Sequence, residues 1–197
     1  MTKFEVPQKI KDRLFPAVLE LFSEHDFHRV NIREISKRTG VSSGTIYKYF
    51  SSKEELLFSI LEEKISEIGL LVREHVAGLD NTREIFRKVF YVTMDFYDKN
   101  PGVAITSFIT VPMRTWMEED SYRREEEQYF MAEVMAQARK RGDCDTSVDN
   151  RHIADLYFMF CYRHIHSWYY HGMQWKLAER ISDFFELFWK ILAPGKS

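Results

Sequence analysis

A chain of 197 residues that is 45% apolar and 15% aromatic can build a sizeable core, and 8 glycines with 5 prolines are too few for a fibrous or low-complexity protein. With 28 Lys+Arg against 30 Asp+Glu the formal charge is -2, so any anionic partner must be met by a local patch rather than by the whole chain. The two cysteines, Cys144 and Cys161, make no disulfide framework, the polar Met1 to Gln8 stretch has no signal-peptide core, and no run approaches the ~18 apolar residues of a membrane span; a cytoplasmic protein with no membrane partner is expected.

In chain order, Ile10, Leu14, Val18, Leu21 and Phe22 recur at helical spacing between Lys9 and His25, with Pro16 expected to kink or split that helix. Asn31 and Glu34 have capping-box spacing and open a short helix that stops at Gly40; Ser42 caps a second short helix, and Ser52 with Glu55 opens a third. This third helix runs from Lys53 to about Val76 with Leu56, Leu57, Ile60, Leu61, Ile65, Ile68 and Leu71 on one stripe. Asn81 with Glu84 starts the next, which ends near Pro101. Val103 to Val111 is rich in β-branched residues, but no second strand-like run exists to pair with it, so a short buried helix ending at Pro112 is expected. Helices over about Asp120 to Arg141, Asp149 to His171 and Gln174 to Leu192 complete an all-α chain of about nine helices.

The segment Val41 to Phe50 carries the most information. Its first helical turn has small hydroxylated residues and a glycine, so the helix can enter a major groove ~12 Å wide without side-chain collision. Tyr47, Lys48 and Tyr49 add two phenols and an ammonium, and Lys53 follows at the start of the next helix, where backbone donors also favour phosphate. Charge is distributed accordingly: Met1 to Lys53 holds ten Lys/Arg and six Asp/Glu, a surplus of +4, and the remainder is at -6. An anionic partner belongs at the N-terminus.

Leu21-Phe22, Ile32-Arg33-Glu34-Ile35, Gly40-Val41-Ser42, Gly44-Thr45-Ile46-Tyr47, Tyr49-Phe50 and Lys53-Glu54-Glu55-Leu56 resemble the DNA-binding domain of TetR-family transcriptional regulators. The resemblance is specific over about the first 60 residues. Asp26 stands where the family usually has Gly, and Pro16 where Ala is commoner. It implies a three-helix helix-turn-helix domain, residues 1–53, joined through a long helix to a helical ligand-binding and dimerisation bundle, residues 54–197. It further implies that Ser42 to Tyr49 is the recognition helix, that Tyr47, Tyr49 and Lys53 grip phosphates, and that Thr45 and Lys48 read bases; Arg33, Ser43 and Gly44 complete the candidate DNA-binding set. Double-stranded DNA, a small-molecule effector and a second copy of the chain are the partners implied, with no cofactor.

For the C-terminal aromatics, core packing is the default reading. Phe90, Phe108, Trp116, Tyr129, Tyr157 and Tyr162 are nevertheless the candidate ligand-binding residues, because helical bundles host small molecules and phenols or indoles offer apolar area with one hydrogen bond. Trp168, Ile181, Phe184, Phe185 and Phe188 are the candidate dimer residues, on a penultimate and final helix expected to form an intersubunit four-helix bundle as the family does. Cys161, His164 and His171 share roughly one helical face; with no strong local ligand pair among them they are assigned to the dimer seam or the core, with Trp168 between them, rather than to a metal. No nucleophile elbow, phosphate-binding Gly loop or dinucleotide fingerprint occurs, so no enzymatic activity is expected. The reading is a ligand-responsive, sequence-specific DNA-binding repressor released from a palindromic operator by a small apolar or aromatic effector. The alternative is a helical dimer that binds DNA constitutively or docks a protein.

Overall fold

A computed structural model describes residues 5–119, 125–145 and 147–194, and among these it is all-helical, with no strand. The α-helices are α1 (Gln8–Glu24), α2 (Ile32–Thr39), α3 (Ser43–Tyr49), α4 (Lys53–Val76), α5 (Thr82–Lys99), α6 (Pro101–Ile105), α7 (Met113–Met117), α8 (Glu125–Arg141), α9 (Asn150–Tyr170) and α10 (Ile181–Leu192). A π-helical turn, Thr106–Thr110, continues α6, and a 3-10 turn, Leu177–Arg180, precedes α10. No helix is long and apolar enough to cross a membrane among the described residues.

The expected caps form. Asn31 Oδ1 accepts from the Glu34 amide at 3.1 Å, Ser42 Oγ from that of Thr45 at 3.1 Å, and Asn81 Oδ1 from that of Glu84 at 3.0 Å. Each satisfies one amide that the first helical turn leaves without a partner. The capping box of α4 is offset by one residue: Ser52 Oγ accepts from the Glu55 amide, whereas the Glu55 carboxylate takes the amide of Ser51. Pro16 does not split α1, which is continuous through it. The backbone bond it removes lies on an exposed side where water can replace it.

The chain divides into two compact units: residues 1–65 with 101–122, and residues 66–100 with 123–197. The functional division expected at 53/54 falls on the first residues of α4, which begins in the first unit and ends in the second. In the first unit, Leu14, Val18 and Phe22 of α1 are fully buried with Ile35 of α2, Ile46 of α3 and Leu56, Leu57 and Ile60 of α4. Into this unit folds the later segment of α6, the π turn and α7: α6 packs on α1, with Gly102 so placed that a Cβ would lie 3.6 Å from Leu19, and Trp116 meets Phe58 edge-on at 4.8 Å.

In the second unit the ring of Phe90, wholly buried on α5, is ringed by Tyr157, Phe160, Phe185 and Phe188 at centroid distances of 5.0, 4.8, 6.0 and 4.8 Å. The final helix starts later than Gln174. Asp98 on α5 accepts from the amides of Leu177 and Ala178 at 2.7 and 2.9 Å, so a carboxylate nearly eighty residues upstream caps a 3-10 turn there and α10 begins at Ile181. The helix expected from Asp120 is described from Glu125, its first residues lying outside the described set.

Candidate nucleic-acid interface

The candidate recognition helix α3 has seven residues and buries one of them, Ile46. Its placement comes from its ends. Gly40 closes α2 in the left-handed conformation at φ 67, and a side chain there would bring a Cβ to 2.9 Å from the Arg13 guanidinium, which donates to the carbonyl of Thr39. Thr39 Oγ1 in turn donates to Ile35 O and accepts from the Val41 amide, fixing the turn between the two helices from inside. The helix-turn-helix angle is therefore set by glycine conformation and by three hydrogen bonds that sequence spacing alone does not display.

What α3 leaves outward is the candidate DNA-binding set. Tyr47 is 56% exposed, and Arg33, Ser42, Gly44 and Lys48 are exposed too. Ser43, Thr45 and Tyr49 are half-buried. The hydroxyls of Ser42 and Thr45 lie 2.8 Å apart, so the cap residue also orients the candidate base reader. The Lys48 ammonium sits 5.4 Å from the Tyr49 ring centre, within cation–π range, which holds an exposed cation beside a phenol. At Gly44 the only neighbour within 4 Å of an added Cβ is Ser42 Oγ at 3.9 Å, so the fold does not require a glycine there.

Lys53 is also held from within the domain. Its ammonium donates to the carbonyls of Phe27 at 2.6 Å and Val30 at 2.8 Å and lies 4.6 Å from the centre of the Phe27 ring. Desolvation lowers its pKa, partly countered by Glu54. Two of its three N–H groups thus tie α4 to the loop between α1 and α2, an internal staple in addition to the phosphate grip expected of it. The reason is the reach of a lysine stem across the domain, a tertiary contact that position along the chain does not reveal.

The candidate ligand residues are divided between the two units. Phe90 and Tyr157 meet in the second unit, where the Tyr157 hydroxyl is 2.7 Å from Thr93 Oγ1 and burial raises its pKa well above the usual phenol value. Phe108 and Trp116 belong to the first unit, where the Trp116 indole donates to Ser107 O at 3.1 Å. Tyr129 is 66% exposed and Tyr162 is 44% exposed, its ring stacked on His166; both are corrected from cavity lining to surface, because each lies on the outward side of its helix. The dimer candidates are corrected in the same way. Trp168, Ile181, Phe185 and Phe188 are buried within the single chain, with the Trp168 indole donating to Trp175 O. Only Phe184 of that set reaches the surface, and it is joined there by Leu187 and Ile191 at i, i+3 and i+7, a period visible in the sequence that the inward stripe beside it masks. On α9, Met159, Tyr162, Tyr169 and Tyr170 are exposed.

Cys161 is buried, His164 Nε2 donates to Leu177 O at 2.9 Å, and the His171 ring lies 5.6 Å from that of Trp175; no group of three or more metal-ligating side chains occurs among the described residues.

Residues 16–60 match the profile described as bacterial regulatory proteins, tetR family. A fatty acid metabolism regulator protein of Bacillus subtilis is 36% identical over 72 residues, 36% of this chain and 37% of that protein. Among solved structures, the fatty acid degradation regulator FadR from Bacillus halodurans superposes with a TM-score of 0.84 at 18% identity, covering 93% of this chain and 96% of that one. The transcriptional regulator FadR from Bacillus subtilis, solved in complex with stearoyl-CoA, does so with a TM-score of 0.81 at 18% identity over 90% of this chain and 96% of that one.

Proposed function

We propose that this chain, whose residues 16–60 match the profile of bacterial regulatory proteins of the tetR family, acts as a homodimeric repressor that a small apolar or aromatic effector releases from a two-fold symmetric operator. The observation that carries the proposal is the tip of α3: a capped helix whose one buried residue is Ile46 presents Ser42, Gly44, Tyr47 and Lys48 outward, with Arg33 exposed on α2. One such helix covers too little surface for specific binding, so two copies would read half-sites about 34 Å apart or a multiple of that.

The second copy is proposed to dock on the exposed Phe184, Leu187 and Ile191 of α10 with Met159, Tyr162 and Tyr169 of α9. Two long helices from each chain would then build a four-helix seam. An apolar, aromatic-rich C-terminal unit supports an apolar effector, as does the likeness to a regulator solved with a long-chain acyl thioester. The effector acts to the extent of its differential affinity for the conformation in which the recognition helices are wrongly spaced.

The test is Gly44→Leu. A Cβ at this position meets only Ser42 Oγ, so the variant should keep the thermal stability of the wild type and lose binding to duplexes selected from a random pool by the wild-type protein. Wild-type and variant proteins binding alike would refute the recognition role of α3. A selected duplex that no apolar compound releases would favour the constitutive DNA-binding or protein-docking dimer instead.

A further inference from the structure

The segment Pro101 to Met113 contains no charged residue, and its π-helical turn holds three hydroxyls that are shut off from solvent and make no hydrogen bond: Thr106 Oγ1, Ser107 Oγ and Thr110 Oγ1. Thr106 is wholly buried. A threonine or serine within a helix ordinarily donates back to the carbonyl one turn earlier, and a buried hydroxyl without a partner is destabilising. Three within five residues therefore oppose folding, and they do so in a π-helical turn, a local irregularity that recurs at functional sites.

We infer that Thr106, Ser107 and Thr110 form a hydrogen-bonding subsite for the effector, and that the group it takes is a neutral oxygen, such as an ester, thioester or ketone carbonyl, on an otherwise apolar molecule. The inference rests on the ligand-responsive reading above. Each hydroxyl offers a donor and accepting lone pairs, which suits a carbonyl. The lack of any cation in the segment argues against a carboxylate or phosphate at this point, because a buried anion needs a paired charge. Val103, Ala104, Ile105 and Val111 are buried around the turn and supply the apolar setting.

The probes are methyl dodecanoate, dodecane and dodecanoate, with binding followed by thermal stabilisation and by release of a selected duplex. Wild-type protein should take the ester in preference to the other two. Thr106→Val and Thr110→Val, singly, should each weaken the ester about tenfold and leave dodecane unchanged, the loss of one hydrogen bond worth about 1.4 kcal/mol. Without ligand, each valine variant should melt no lower than the wild type, since an isosteric methyl replaces an unpartnered hydroxyl; this reading does not depend on any probe and shows that the variants fold. Lower melting of both unliganded variants would mean that the hydroxyls are satisfied by fixed water or protein groups, and would overturn the subsite. Equal binding of the ester by wild type and variants would overturn the subsite while leaving ligand response intact. No response of the wild type to any probe, with DNA still bound, would overturn the assigned ligand chemistry, and extension of that silence to a broad panel of apolar compounds would remove the ligand-responsive reading itself.

Discussion

Replacing Lys53 by methionine separates the structural task of its ammonium from the contact with DNA expected of it. Its Nζ holds two carbonyls, Phe27 O and Val30 O, at 2.6 and 2.8 Å. Hydrogen bonds from a charged donor contribute about 1.5–3 kcal/mol each when buried. Here the site is half-buried, water can reach part of it, and removing a cation from the first turn of α4 returns about 0.3–1 kcal/mol through the helix dipole. The methionine stem keeps most of the apolar contact with Phe27. The net expectation is a loss of about 1–2 kcal/mol in equilibrium urea unfolding. The second half of the assay is the salt dependence of binding to a selected duplex. Each phosphate contact contributes about 0.9 to the slope of log affinity against log salt, so a dimer losing one contact per chain loses about 1.8. Lys53→Met and Lys48→Ala should each lower that slope by about that amount. Full stability of Lys53→Met together with a reduced slope would show that the ammonium leaves the carbonyls for phosphate, and would refute the staple.

Leu187→Glu places a charge on a side chain that is 57% exposed, so sedimentation should show a folded monomer; Phe188→Ala, one residue further on and fully buried against Phe90, should instead cost about 3–5 kcal/mol in thermal unfolding. If Leu187→Glu stays dimeric, the outward face of α10 is not the seam. Burial lowers the pKa of His164, against smaller opposing effects of Leu177 O and Asp98, so on acidification the unfolded chain takes up the proton first, near pH 6.5. Between that value and the lower folded one the unfolded state binds more protons, so His164 makes stability fall as pH drops through about 6.5. His164→Gln keeps a donor for Leu177 O and cannot charge. Its urea midpoint should fall less between pH 7 and pH 5 than that of the wild type, and an unchanged fall would show that other groups dominate.

Local chemistry was the readable part of this chain. Asn31, Ser42 and Asn81 act within their own first turns, and Gly40 needs only its own φ, so caps and helix ends follow from neighbours three residues away. Contacts over long separations were not readable. The start of the last helix depends on Asp98, the task of Lys53 on carbonyls more than twenty residues upstream, and the π turn on what packs around Thr106. The face of α10 was ambiguous for another reason: Phe184 and Phe185 are adjacent and equally apolar, and a helix apolar on two sides does not announce which side the chain itself covers. The same ambiguity sent Tyr129 and Tyr162 to an interior that they do not enter.

A candidate recognition helix anchored by Ile46 alone, and otherwise held by its caps, keeps the residues that specify folding, Ser42 excepted, apart from those that face outward. Positions 43, 44, 45, 47 and 48 can therefore drift or be randomised at little thermodynamic cost, provided that Gly40, Ser42 and Ile46 stay. Descendants of such a gene could acquire new operators by a few surface exchanges after duplication, and a laboratory library confined to those five codons would sample altered sequence preference with few misfolded members.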